Sequence, residues 1–206
     1  MNREIGHEGA VIGPEDVLGF WLGAPGSSQL ANATKWYMKD DAFDREIEAR
    51  FGATLELGAR GALDGWKTSP RGRLALVILL DQFSRNIYRN QPRSFAQDAR
   101  ACSDALEAMA RGDERELTTV ERSFLYMPLM HAEDVDLQRK CVASFERLRD
   151  EAPADLRKFV ENGLDYARRH ADIVERFGRF PHRNTILGRT STPEEVEFLK
   201  QPGSSF

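Results

Sequence analysis

Hydrophobic positions recur at helical spacing along nearly the whole chain. Phe43, Ile47, Phe51 and Leu55 follow one another every fourth residue and predict one buried stripe on a helix opened by Asp41. From Leu74 to Leu80 the chain is apolar on every side, the pattern of a helix at the centre of a domain. Val17, Leu18, Phe20, Trp21 and Leu22 form an earlier packing set behind Gly13-Pro14-Glu15-Asp16, where proline in the first turn and acids at the positive end of the dipole mark a helix start. Trp36 and Tyr37 add an apolar anchor between these helices. Phe145, Leu148, Phe159, Leu164, Ile173 and Phe177 supply the buried faces of two long helices, over about 133–150 and 153–177. Their short connection at Ala152-Pro153 predicts an antiparallel pair.

Polar and special residues set the boundaries. Gly58 and Gly61 are expected to break the Asp41 helix, Ser69-Pro70 to start the central one, and Gly112 to stop a helix over about 94–111. Thr118 or Thr119 caps the next, which Pro128 interrupts or bends. Thr192-Pro193-Glu194-Glu195 has the form of a capping box and opens a short helix to about Lys200. No stretch sustains the period-two alternation of a strand, so the chain reads as all-α. With no repeat of fixed period and no linker, residues 1–206 read as one domain of antiparallel helix pairs, with a flexible segment over 1–12 and a tail over 202–206 in which Phe206 could dock.

Composition narrows the possible partners. A net charge of −4 lacks the basic footprint of duplex recognition, so no nucleic-acid partner is expected. The N-terminus has no apolar core of a signal peptide, and the run Leu74 to Leu80 is far too short for a membrane span, which makes the cytoplasm the expected location. Cys102 and Cys141 are not paired in a local motif, and no disulfide is expected. The glycines fit neither a phosphate loop nor a dinucleotide fingerprint, there is no serine elbow, and neither cysteine has a neighbouring histidine. No cofactor is expected.

Three segments carry the polar chemistry. In Asp81-Gln82-Phe83-Ser84-Arg85-Asn86 a helix face that is apolar in its first half becomes charged in its second, and Asp81 and Arg85 can pair at i+4. Such groups form either a structural ion pair or one wall of a pocket with Arg85 aimed at a ligand. In Tyr126 to Gln138, a continuous helix would put His131, Asp134 and Gln138 on one face and Glu133 on another. A carboxylate beside an imidazole suits general-base work. The third segment presents Arg179, His182, Arg183, Asn184 and Arg189 within eleven residues behind Gly178. Guanidinium groups grip carboxylate or phosphate through paired hydrogen bonds, so a small anion suits this loop; the other reading is internal neutralisation by acids such as Asp81 and Glu133. A metal set drawn from His131, His170 and His182 has no diagnostic spacing, and no metal is expected.

Taken together, Val17-Leu18-Phe20-Trp21, Leu79 to Arg89, Tyr126 to His131, Phe177 to Asn184, Leu187-Gly188-Arg189 and Ser191-Thr192 resemble the bacterial domain-of-unknown-function 924 family over nearly the whole chain. Ser84 stands where the family pattern Asp-Gln-Phe-Pro-Arg-Asn has proline; the acidic and basic residues around it are intact. The resemblance implies an all-α domain similar to tetratricopeptide-like helical arrays and supplies no activity.

The expectation is therefore a site with His131, Glu133 and His182 as catalytic groups. Asp81, Gln82, Arg85, Asn86, Arg179, Arg183, Asn184 and Arg189 would bind a small anionic metabolite, hydrolysis being the preferred chemistry if it reacts. The competing expectation is a module that binds a peptide or protein partner, with the polar motifs holding its helices together.

Overall fold

In the computed structural model, which describes residues 12–205, the central apolar run becomes α4 (Pro70–Ile78), with every residue from Gly72 to Leu80 buried. Ser69 starts it as the sequence predicts, its hydroxyl accepting a hydrogen bond from Gly72 N at 3.1 Å with Pro70 in the first turn. Of the segment 1–12, only Ile12 lies within the described range, packed against the core, and Phe206 lies outside it.

Against α4 pack α1 (Pro14–Leu22), α6 (Asp98–Arg111) and α7 (Thr119–Met130); the short α2 (Ala33–Trp36) leads to α3 (Asp41–Ala59), which packs chiefly on the segment that follows α4. Between α4 and α6 come a π-helical turn (Leu79–Phe83) and α5 (Ser84–Ile87). The chain continues through α8 (Val135–Glu151), α9 (Ala154–Phe177) and α10 (Pro193–Leu199), joined in places by 3-10 turns, and the described residues contain no strand. The fold is all-α.

Aromatic side chains fill the centre. Trp21 lies 5.4 Å from Phe83, 5.9 Å from Phe124 and 6.2 Å from Phe43, measured between ring centroids. Each such ring contributes roughly 1.5–3 kcal/mol by burial, with a further contribution of about 0.5–1.5 kcal/mol for a well-oriented pair. Trp36 joins the cluster by donating its indole N–H to the Trp21 carbonyl at 2.7 Å, whereas Tyr37, grouped with it in sequence, is exposed.

Three local expectations shift. The α3 helix runs through Gly58, whose missing side chain makes room for α4 and the turn after it: a Cβ there would sit 3.4 Å from Leu76 Cδ1 and 3.2 Å from Leu79 Cδ2. The helix expected from about 94 begins only at Asp98, since Pro92–Phe95 forms a 3-10 turn first. The helix through Pro128 ends at Met130, so His131, Asp134 and Gln138 do not share a helical face.

The ion pairs Glu146–Arg168 (2.7 Å) and Arg139–Glu175 (3.0 Å) join α8 and α9 in reversed order, so the two helices are antiparallel. At their open end Ile173, Val174 and Phe180 form a small second core, edged by Val135, Phe177 and Phe198. It fixes the segment 178–199 over the ends of α7 and α9. Beyond α10 the tail turns back, with Ser204 Oγ donating to the Leu199 carbonyl at 3.2 Å.

Candidate functional site

Asp81 lies in the π turn that succeeds α4, on the most deeply buried stretch of the chain, with 1% of its surface exposed. A π turn inserts an extra residue into the helical path and alters the phase of the downstream residues, a feature frequent at functional sites. A carboxylate so placed needs partners, and Asp81 has three. His131 Nδ1 lies 2.7 Å and Arg85 Nη1 3.0 Å from Oδ1, and Gln82 Nε2 donates to Oδ2 at 2.5 Å. Arg85 Nη1 also donates to the Asp81 carbonyl at 3.0 Å. Burial alone would raise the Asp81 pKa, but the Arg85 charge and the His131 contact overcome it and hold the carboxyl well below the usual range.

His131 reaches Asp81 because α7 ends one residue before it. As the C-cap residue, His131 points back across the helix end to the π turn fifty positions earlier in the chain. Because Asp81 is ionised, Nδ1 carries the imidazole proton and Nε2 carries the lone pair. Burial and then Arg85 depress the His131 pKa against the pull of Asp81, so the ring is neutral at pH 7. Its side chain keeps 12% exposure.

The third polar segment completes the cluster. Gly178 ends α9 with φ 69°, and the 3-10 turn Pro181–Arg183 carries His182 and Arg183 inward. The Arg183 guanidinium lies over the rings of both Phe95 and Phe180, 4.6 and 4.5 Å from their centroids, a cation–π arrangement. Its Nη1 lies 3.2 Å from Asp98 Oδ2, and Arg85 grips the same carboxylate through Nη1 at 2.9 Å and Nη2 at 3.0 Å. Thus His131, Asp81, Arg85, Asp98 and Arg183 form one continuous chain of contacts. His170 approaches His131 to 6.2 Å and Phe180 to 5.4 Å, and His182 lies 5.6 Å from Phe180. Burial lowers the pKa of His170 to about 3, with His131 the next cause, and that of His182 to about 4, with Arg183 the next. Among the described residues no three His, Cys, Asp or Glu side chains are arranged to hold a metal ion.

Other residues singled out in the sequence serve different partners. Glu133 accepts both terminal nitrogens of Arg189, at 2.6 and 2.9 Å, and the Phe180 N–H at 2.8 Å, staple-like between the α7–α8 junction and the C-terminal segment. Arg179 forms a two-bond pair with Glu195 at 2.7 and 2.8 Å. Asn184 donates to Ser191 and Glu195 and accepts from Arg189 at 3.0 Å. Asn86 donates to Asp44 at 2.7 Å, and Arg89 grips that carboxylate too. The carboxylate that orients His131 is Asp81 rather than Glu133 or Asp134; Asp134 caps α8 through Leu137 N.

Asp98 and Phe95, both central to the cluster, carry no distinguishing sequence signal. Asp98 reads as an ordinary first-turn acid of α6. Two surface clefts lie elsewhere: one of about 330 Å³ between the start of α3 and the end of α5, lined by Lys39, Asp44, Arg45 and Arg89, and one of about 400 Å³ beside Lys35, Met38 and Phe43.

The sequence profile of DUF924, a bacterial protein family of unknown function, matches residues 17–203. A solved structure of a protein of unknown function from Agrobacterium tumefaciens is similar at 38% identity with a TM-score of 0.78, over 91% of this chain and 96% of that one. No curated protein matches the chain.

Proposed function

The chain belongs to the bacterial DUF924 family, and from that premise we propose that its Asp81–His131–Arg183 cluster binds a small anionic molecule and hydrolyses it, with His131 as general base. The observation that carries this reading is the hydrogen bond between His131 Nδ1 and the buried, ionised Asp81, 2.7 Å long. It fixes the tautomer, leaves Nε2 to take a proton from an attacking water, and stabilises the imidazolium that results, while Asp81 stays ionised. Arg183, held by Asp98, which Arg85 also grips, supplies the positive charge for the anion.

A thermal-shift screen of carboxylated and phosphorylated metabolites tests the proposal. An anion at about one hundred times its dissociation constant stabilises the native state by about 2.7 kcal/mol, a rise of roughly 5–10 °C for a chain of this length. The expected pattern is that Arg183→Ala abolishes the shift while keeping the native circular dichroism, and that His131→Asn keeps binding but loses turnover of the anion found. If no anion shifts the melting temperature of the wild type, the proposal fails.

A second reading, an interaction module for a peptide or protein partner, is favoured by the internal commitments of Arg179, Arg189 and Asn86 to Glu195, Glu133 and Asp44. A purified partner bound equally by wild type and His131→Ala would support it over chemistry.

A further inference from the structure

We propose that the ligand of this site carries a single carboxylate, gripped side-on by the Nε–Nη2 edge of Arg183, and that Arg85 is a positioning residue that does not touch it. This rests on the small-anion reading above and narrows it to one chemical class and one donor edge.

The chain itself shows what such an edge holds. The Nε and Nη2 of Arg71 bind the two oxygens of Glu15 at 3.0 and 2.8 Å, those of Arg89 bind Asp44 at 2.6 and 2.8 Å, and those of Arg179 bind Glu195 at 2.7 and 2.8 Å. In each case the two nitrogens of one guanidinium edge meet the two oxygens of one carboxylate. Arg183 is different. It spends Nη1 on Asp98 at 3.2 Å, and its Nε, buried, has no hydrogen-bond partner among the described residues. A buried donor of a charged group left so carries the whole cost of its lost hydration, which an in-plane acceptor would relieve.

The surroundings narrow the choice of acceptor. The Phe95 and Phe180 rings lie 4.6 and 4.5 Å from the Arg183 guanidinium carbon and offer no hydrogen-bond acceptor in the σ plane, so the N–H edges are what a ligand oxygen can satisfy. The terminal nitrogens of Arg85 are already directed at Asp98 and Asp81. Asp81 and Asp98 already balance Arg85 and Arg183, so a ligand with one negative charge adds half the uncompensated charge that a phosphate dianion would.

The test uses the full-length protein labelled with ¹⁵N-arginine, titrated with sodium acetate, pyruvate, benzoate or inorganic phosphate at constant ionic strength. The readout is the Arg183 Nε–H resonance, assigned by through-bond correlation. The expected result is saturable movement of that resonance by at least one carboxylate and weaker binding of phosphate. Arg183→Lys, which keeps the charge and loses the fork, should weaken carboxylate binding about tenfold, the equivalent of one charge-assisted hydrogen bond. If that variant does not fold, the wild-type resonance decides alone. Phosphate binding more tightly through the same resonance overturns the carboxylate assignment and spares the small-anion reading. Saturable carboxylate binding that leaves the resonance still overturns the donor edge. No saturable binding by any of these four anions overturns the inference while the wider metabolite screen still judges the small-anion reading.

Discussion

Replacing Asp81 by Asn changes the charge of a buried group without changing its shape, and leaves Arg85 and His131 facing an amide. Removing one partner of a buried ion pair costs roughly 3–5 kcal/mol. Arg85 retains its two bonds to Asp98, at 2.9 and 3.0 Å, which places the expected cost at the lower end, about 3 kcal/mol. For a chain of this length that corresponds to a fall in Tm of about 6–12 °C. Urea unfolding followed by circular dichroism at 222 nm measures it, with the m-value unchanged. The pH dependence gives an independent check. Because the folded pKa of Asp81 lies below its unfolded value, its contribution is present above the unfolded pKa and is lost as pH falls towards the folded one. With an unfolded pKa of about 3.9, the wild type loses about 0.7 kcal/mol from this group at pH 3.5, and the variant loses none. In a His131→Asn background, which removes the coupled imidazole, the gap between the proteins with and without Asp81→Asn should therefore narrow by about 0.7 kcal/mol between pH 7 and pH 3.5. A gap under about 1 kcal/mol at pH 7, or one that widens as pH falls when His131 is replaced in both proteins, would refute the account of Asp81 as a charge-paired anchor.

Three further outcomes are expected. His131, His170 and His182 all have folded pKa values below the ordinary histidine range, so the stability they contribute is present above about pH 6.5 and is lost below it. Between pH 6.5 and 5.5 the loss should reach about 2–3 kcal/mol in urea melts, and a flat profile there would show that these rings are not held neutral. Glu133→Gln removes the charge that accepts Arg189 and Phe180 N, so amide hydrogen exchange within 178–192 should rise about ten- to a hundredfold, the counterpart of roughly 1.5–3 kcal/mol; unchanged exchange would deny the staple. Thr118→Ala breaks the capping box that Thr118 and Glu121 form at the start of α7 and should cost about 1 kcal/mol by denaturant melting, with Thr118→Ser restoring most of it.

The fold was legible where the determinants are local. Ser69, Thr118 and Thr192 each cap a helix through a group three residues away, and the stripe Phe43, Ile47, Phe51, Leu55 is buried as its spacing requires. The three polar segments were legible as segments, and their side chains do meet. Which acid orients which base was not, because Asp81 and His131 are joined by tertiary packing and not by helical periodicity. Asp134, the nearer carboxylate in sequence, is taken by the start of α8. Gly58 misled for a related reason: its value lies in what α4 brings against it, which no local rule contains. Asp98 and Phe95 gain their importance only from Arg183, across the fold.

The π turn at Leu79–Phe83 also divides the central helix into two segments with separate phase. Each residue advances a helix by about 100° and 1.5 Å, so removing one from the turn would leave α4 seated while rotating everything after it. Arg85 would swing away from Asp98, and Asn86 and Arg89 away from Asp44. Length in this stretch is thus as tightly specified as chemistry: a one-residue deletion would conserve every charge of the motif and still dismantle the circuit those charges form.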